Sequence, residues 1–283
     1  MSAVELLLPP FVACLILVAI HSYLGLHVIA REVIFVDLSL AQMAALGSLL
    51  ALAWHMAEDS WQAYAVSLVF TAVGAFVFAM TRTSGRGPVP QEAIIGIIFV
   101  LASAAGILVA SGVPSGGEAV KKTLEGRDVV LITWPSIRRL AVAYTILGIL
   151  HYALRHKFLT ISFHPEEAAR AGWKIRWWDF WFYLSFGIVI TFSVPVVGVL
   201  MVFTFLVVPA VIAFLFTRDL RKLTYIAWAS GAVASSLGLW VSYEWDKPMG
   251  PIIVCTYGLL LGAAGVLRRL WVGGGGGHAA EPA

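Results

Sequence analysis

Arg155–Trp178, RHKFLTISFHPEEAARAGWKIRWW, is the longest polar interruption with its own helix signals in an otherwise apolar chain. Pro165 suits the first position of a helix, where its missing N–H costs nothing. The two glutamates that follow and Arg170 in the last turn match the helix dipole, and Gly172 is placed to end the helix. The stretch predicts a helix of about two turns. Such a helix is either an ordinary interfacial loop helix or a docking site for another protein.

The composition around this stretch indicates an integral membrane protein. Of 283 residues, 60% are hydrophobic and 12% are charged, whereas a soluble domain carries about twice that charged fraction. The net charge of +3 therefore gives no reason to expect a nucleic-acid partner. Cys14 and Cys255 lie far apart in apolar runs and predict no disulfide. The first apolar run has no basic segment before it and no cleavage signal, so we expect it to be retained as a span.

Nine apolar runs are long enough, at roughly 20 residues each, to cross a bilayer as helices. They are 6–29, 34–56, 61–81, 91–111, 136–154, 178–196, 198–217, 223–243 and 250–271. Only Pro195 and Gly198 punctuate the sixth and seventh runs, so eight spans with one helix broken inside the membrane are the alternative. The prediction is an all-α, polytopic membrane helix bundle over residues 1–272. The glycine-rich tail, 273–283, is predicted to be disordered.

The basic residues predict the orientation of the bundle. The loops after the first, third, fifth and seventh runs, with the end of the ninth, carry 13 of the 19 Lys and Arg residues. Because such residues concentrate on the cytoplasmic side, the N-terminus is predicted outside and the Pro165 helix and the C-terminus inside the cell. The loop 112–133 is then external. It is either a plain connection or part of an entrance or a partner contact.

Asp37 lies inside the second apolar run, where a carboxylate is costly and is a functional candidate by default. A stripe of small residues shares its helix face and permits close packing of a neighbouring helix. Asp37 is also about one turn from the inner end of the run, so the alternative is an interfacial acid paired with Arg31 or other bases. Gln42 is more central, but it points about 140° away from Asp37 on a regular helix. The two side chains could therefore not readily hold one ion.

Two histidines could ligate a metal through a neutral imidazole. His21 lies near the middle of the first run and His151 near the inner end of the fifth. Neither has a His, Asp or Glu three or four residues away, so a structural hydrogen bond is the alternative for each. The chain contains no phosphate loop, HExxH or GxSxG motif. It is therefore not predicted to bind ATP in that way, to hold a cofactor or to be an enzyme by itself.

Five motifs, in order, resemble the membrane permease subunits of the zinc/manganese/iron class of bacterial ABC importers. They are RxxxxxxxxLAxxxxLG at Arg31–Gly47, QEAIIGIIFVLASAAGILVAS at 91–111, FHPEEAARAGW at 163–173, VGVLMVFTFLVVPAVIAF at 197–214 and DKPMGPIIV at 246–254. Each motif is weak alone, but their order is specific. The resemblance covers about residues 5 to 270.

The resemblance implies a type II importer in the bacterial inner membrane. Two permeases, here expected to be a homodimer in contact with membrane lipid, would pair around a central pathway. Two cytoplasmic ATPases would bind ATP and dock on the coupling helices, and an external binding protein would deliver a divalent metal ion. The resemblance places the coupling helix at about 163–173. Its implied docking residues are Glu166, Ala169 and Gly172, with His164 and Pro165 beside them.

This chain departs from the usual sequence of the family in the second span. Family members usually read G-D-x-x-x-H there, whereas this chain has Asp37 at the Gly position, Leu38 at the Asp position and Gln42 at the His position. Asp37, Gln42 and His21 remain the candidates for the metal pathway. The prediction is the permease of a zinc, manganese or iron ABC importer. The alternative is an ion-coupled secondary transporter that uses Asp37 with His21 or His151 as its relay.

Overall fold

The computed structural model describes residues 3–57, 60–82, 89–126 and 129–274, which form helices and no strands. The helices are α1 Ala3–Ala30, α2 Val36–Ala53, α3 Trp61–Met80, α4 Gln91–Ser111, α5 Gly116–Glu125, α6 Trp134–Ala153, α7 Arg155–Phe163, α8 Pro165–Arg170, α9 Ile175–Phe216, α10 Leu220–Trp245 and α11 Met249–Gly274. A short 3-10 turn at Val129–Leu131 precedes α6. The all-α prediction is confirmed. Helix α11 continues to Gly274, and the rest of the predicted tail lies outside the described residues.

Each of the nine predicted runs falls on a helix and extends beyond its ends by no more than about three residues. Among the described residues, six helices are long and apolar enough to cross a membrane: α1, α2, α3, α4, α9 and α11. Helices α6 and α7 make a seventh if this pair, bent by 73°, is counted as one span. The difference from nine has two sources. Serine, tyrosine and tryptophan side chains lower the hydropathy of α10, and the sixth and seventh runs are joined in α9.

Helix α9 has 42 residues, which would extend roughly 63 Å if straight, about twice the hydrocarbon thickness of a bilayer. It is interrupted at Gly198, whose φ of 76° and ψ of 164° are not helical and are essentially confined to glycine. The predicted break between the sixth and seventh runs is therefore present, and Gly198 is its position.

The two halves of α9 run in opposite directions along α1. In the first half, Asp179 contacts Arg31 and the later Ser193 contacts His21, so the contacts move toward the start of α1. In the second half, Phe205 contacts Ser22 and the later Ala210 lies beside Gly25, so the contacts move toward the end of α1. The first half approaches the start of α1 as it proceeds, and the second half moves away from it again. The chain therefore folds back at Gly198, so that α9 supplies two adjacent segments of the bundle.

The predicted external loop 112–133 is more than a plain connection. It forms α5, which packs against α9, α4 and α2. At its end Gly126 has a φ of 77°, and a Cβ there would overlap the backbone of Val197 and Gly198. The end of α5 thus abuts the point where α9 folds back.

Helix α9 occupies the centre of the described bundle and contacts α1, α2, α3, α5, α10 and α11. Small residues allow the closest approaches between helices. A Cβ at Gly25 would overlap the carbonyl oxygen of Leu206, and one at Gly47 would lie 2.6 Å from the Cα of Ser67. The close approach at Gly47 holds α2 against α3, and the close approach at Gly25 holds α1 against the second half of α9.

Candidate functional site

Helix α8 is the predicted Pro165 helix, and its ends are formed by the residues that the sequence indicates. Pro165 is its first residue and Arg170 its last. Gly172 adopts a φ of 69°, and its N–H donates to the carbonyl of Ala169 at 3.0 Å while Trp173 N–H donates to Ala168 at 3.1 Å. These two bonds form a Schellman motif, which satisfies carbonyls at the helix end.

The predicted docking residues lie on the outer surface of the bundle. His164, Glu166, Ala169 and Gly172 are exposed and Pro165 is half-buried, whereas Ala168 on the opposite side of the helix is buried. A Cβ at Gly172 would meet no atom within 4 Å. The helix therefore presents one face that is open to a partner and is anchored by the other.

The corner between α7 and α8 is held by aromatic contacts. The Lys157 ammonium lies 3.4 Å from the centre of the Trp173 ring, a cation–π contact. The His156 ring packs edge-on against the same tryptophan, with centroids 5.5 Å apart. Residues before and after α8 thus contact each other and fix the direction in which α8 projects.

Asp37 is fully buried in the first turn of α2, and among the described residues neither of its carboxylate oxygens has a hydrogen-bond partner. The proposed pairing with Arg31 is wrong, because Arg31 binds Asp179 at 2.8 Å instead. Burying a carboxylate without a partner is costly. Asp37 is therefore an acid inside the bundle, and the alternative of an interfacial ion pair with Arg31 does not describe it.

The three pathway candidates are not brought together into one site. His21 hydrogen-bonds the carbonyl of Leu17 at 2.8 Å and Ser193 at 3.1 Å, which is the structural alternative. Gln42 lines a groove between α2, α4 and α5 rather than the buried side of Asp37. Within the described residues, no group of three His, Cys, Asp or Glu side chains could hold a metal ion. His151 likewise bonds a serine, Ser185, at 2.8 Å.

The small-residue face of α2 leads from Asp37 into a cavity. Ala44 and Ser48, which share this face, line a cavity of about 110 Å³ between α2, α3, α5 and α9. Its polar lining includes Ser67 and Thr191, and the hydroxyls of Ser48 and Ser67 lie 2.7 Å apart. Hydroxyl and carbonyl oxygens can replace part of the hydration shell of a cation. The cavity can therefore accommodate a small polar solute.

Sequence reasoning missed one buried charged group, Asp179. It lies at the second position of the predicted run 178–196, and it is paired with Arg31 and Arg82. The available signal was the same one that indicated Asp37, an acid within an apolar run. Its two partners lie 148 and 97 residues away, so no local spacing indicates the pairing.

Comparison with known proteins identifies the family. The profile of the ABC 3 transport family matches residues 3–266, nearly the whole chain. The chain belongs to this family. The resemblance inferred from the five motifs is confirmed, and the protein is a multi-pass membrane permease of an ABC transporter.

Two relatives of this ABC 3 permease carry names that state their cargo. The manganese transport system membrane protein MntC of Listeria innocua is 30% identical over 189 residues, 64% of this chain and 66% of that protein's length. The manganese import system permease protein ScaB of Streptococcus gordonii is 26% identical over 198 residues. The first match thus spans slightly less than two thirds of its relative.

A solved structure shares the fold of the ABC 3 permease. PsaBC from Streptococcus pneumoniae, determined in complex with a Fab, superposes with a TM-score of 0.77 over 95% of both chains at 18% identity. The fold described above is therefore that of a permease in this class of transporters. The fold includes α5 and the folded-back α9.

Proposed function

We propose that this permease forms the membrane pathway of an ATP-driven importer for divalent transition-metal ions, with manganese, iron and zinc as the candidate cargoes. The observation that carries the proposal is α8, a short capped helix whose exposed face displays the docking residues implied by the family resemblance. Family membership and the manganese names of two relatives support the choice of cargo.

A cytoplasmic ATPase supplies the power in this proposal, because the chain has no phosphate loop of its own. The ATPase docks on Glu166, Ala169 and Gly172, with His164 and Pro165 at the edge of the contact. Closure of two ATPases around ATP moves α8 and switches the bundle between outward and inward access. In this proposal α8 lies in the cytoplasm and the N-terminus outside the bacterial inner membrane, and the concentration of Lys and Arg in the loops on the side of α8 supports this orientation.

The metal pathway in this proposal follows the small-residue face of α2. An ion delivered by an external binding protein enters the cavity lined by Ser48, Ser67 and Thr191. It then meets Asp37, whose buried carboxylate has no hydrogen-bond partner in the part of the chain that the structure describes. Divalent metal ions such as manganese favour carboxylate and hydroxyl oxygens. Among the described residues, Asp37 belongs to no group of acids, histidines or cysteines that could hold a metal ion within one chain. A second permease copy related by two-fold symmetry would supply another acid.

Reconstitution tests the proposal. Permease, ATPase and binding protein in proteoliposomes are expected to accumulate manganese only when ATP is present, and a hydrolysis-deficient ATPase is the control. Competition among manganese, iron and zinc then identifies the preferred cargo. Uptake driven by a proton or sodium gradient without the ATPase would contradict the importer and support an ion-coupled transporter. No uptake of any of the three metals with all components present would also refute it.

A further inference from the structure

Asp179 lies at the start of α9 between two arginines, and all three side chains are largely buried. Its Oδ1 accepts a hydrogen bond from Arg31 Nη1 at 2.8 Å, and its Oδ2 accepts one from Arg82 Nη1 at 2.5 Å. The Asp179 and Arg31 side chains are 0% and 2% exposed, and that of Arg82 is 16% exposed. The group carries one more positive charge than negative.

The same arginines bind the end of α7. Arg31 Nε donates to Ser162 Oγ at 2.7 Å, and Arg82 Nη2 donates to the carbonyl of Ile161 at 3.5 Å. Ser162 Oγ also hydrogen-bonds His27 Nδ1 at 2.8 Å. Positive charge is favoured near the C-terminus of a helix, so the end of α7 stabilises the surplus charge of the arginines.

We propose that Arg31, Arg82, Ser162 and Asp179, here called the Asp179 network, form the joint that transmits movement of α8 to the transport helices. The proposal rests on the proposed function, in which an ATPase moves α8. Only His164 separates α7 from α8. A displacement of α8 therefore acts on Ser162 through a few residues of chain.

Each charged member of the Asp179 network belongs to a different part of the bundle. Arg31 directly follows α1, Arg82 follows α3, and Asp179 lies in the first turns of α9. Helices α3 and α9 both line the cavity that contains Ser67 and Thr191. A shift of Ser162 is thus conveyed to two walls of the cavity and to α1.

The chemistry of the network suits a rigid joint. Hydrogen bonds between ionised groups are shorter and stronger than neutral ones, and exclusion of water strengthens them further. The Arg31 guanidinium also stacks on Phe182, 3.9 Å from the ring centre, which restricts its rotation. Movement of α7 is consequently passed on to α1 and α9 and is not absorbed by side-chain rotation.

Two variants test the joint through the number of metal ions transported per ATP hydrolysed. Ser162→Ala removes the hydrogen bond by which Arg31 holds α7, and it leaves the bond of Arg82 to Ile161 and both pairs with Asp179 in place. We expect the ATPase to bind as in wild type while the transport ratio falls about five-fold, the effect of one lost hydrogen bond. Ser236→Ala is the matched control. This exposed hydroxyl on α10 donates a hydrogen bond to the carbonyl of Ala232, one turn earlier in the same helix. Its ratio should equal that of wild type.

The triple variant R31M/R82M/D179L separates transmission from stability. Apolar replacement of a complete buried ion group is often neutral for stability, so thermal stability and ATPase binding should be retained while the transport ratio falls more than it does in Ser162→Ala. A stable triple variant with a wild-type ratio would overturn the proposal, as would a wild-type ratio in Ser162→Ala. Loss of ATPase binding in Ser162→Ala would also overturn it, because the network would then act on docking. Failure of the wild-type chain to bind an ATPase would instead refute the proposed function.

Discussion

At the scale of single residues, Asp37 is the side chain whose environment is hardest to explain by stability alone. It is 0% exposed, and both of its carboxylate oxygens lack a hydrogen-bond partner among the residues that the structure describes. Its place in the first turn of α2 lets the helix N-terminus offset part of the cost of burial. The proposed function offers an explanation, in which the partner of Asp37 is the metal ion and is present only during transport.

Asp37→Asn tests this explanation. The amide has the shape of the carboxylate without its charge, so stability should be unchanged or higher while metal uptake falls at least about ten-fold, the effect of one charged contact. Uptake and thermal unfolding in detergent measure the two effects. Ser39→Ala is the control. The Ser39 hydroxyl lies close to Asp37 on α2 and is also buried with no hydrogen-bond partner among the described residues. Wild-type uptake by Asp37→Asn would assign the residue to packing.

The residue scale also shows what the sequence could and could not predict. Asp37 is indicated by its position in an apolar run, because the cost of burying a charge is a local property. The Arg31–Asp179 pair is not indicated, because it depends on which helices are neighbours. The sequence therefore offered the nearby Asp37 as an alternative partner for Arg31, whereas the folded chain pairs Arg31 with an acid 148 residues away.

At the scale of elements, α8 was predicted to within a few residues because its signals are local. A proline opens it, acids occupy its first turn, and Gly172 supplies the left-handed residue that ends it. The preceding segment, 155–163, was not predicted to be a separate helix. Its direction is set by its packing against α8 and the end of α6, and its bend of 73° from α6 is a tertiary feature.

Gly172 provides a test of the docking assignment. Its φ of 69° is accessible to asparagine but not to a β-branched residue. Gly172→Val should therefore distort the end of α8 and reduce co-purification of the ATPase by about five- to thirty-fold, for a distortion costing about 1–2 kcal/mol. Gly172→Asn should retain most of the binding. Equal ATPase recovery with both variants and wild type would show that the partner binds elsewhere.

The fold-back of α9 was visible in the sequence only as a glycine and a proline between two apolar runs. Hydropathy indicates that a segment is buried in lipid or protein, but it does not indicate direction. The packing of α5 against the fold-back was likewise not predicted, because the glycine contacts between Gly126 and Gly198 join distant parts of the chain.

Gly198→Ala should be destabilising, because the φ of 76° and ψ of 164° are available essentially to glycine alone. The expected cost is about 1–3 kcal/mol, measured as a faster loss of folded protein at a fixed temperature in detergent. Gly262→Ala is the matched control within helix α11, where a Cβ meets no atom within 4 Å. It should leave the rate unchanged or slow it. Equal rates for the two variants would contradict the fold-back.

At the scale of the whole molecule, the described part of the bundle combines an apolar outer surface with a short, exposed and capped helix, α8. Apolar side chains such as Leu108, Ile146 and Leu259 are more than half exposed, as expected of surfaces that face hydrocarbon. Helix α8 differs from this surface because its exposed residues are polar or small. In the proposed importer, the bundle forms the pathway of the metal ion, and the ATPase that supplies the energy binds at α8.

Cross-linking from α8 tests this central claim most directly. Exposed Cys255 is replaced by serine, Cys14 is buried and stays, and Ala169→Cys provides a single exposed thiol on α8. With a bifunctional maleimide in membranes, a permease–ATPase adduct is predicted for Ala169→Cys but not for Ser236→Cys on the exposed side of α10. An adduct no stronger than that of the control, or labelling of Ala169→Cys from outside intact cells by an impermeant maleimide, would contradict the account.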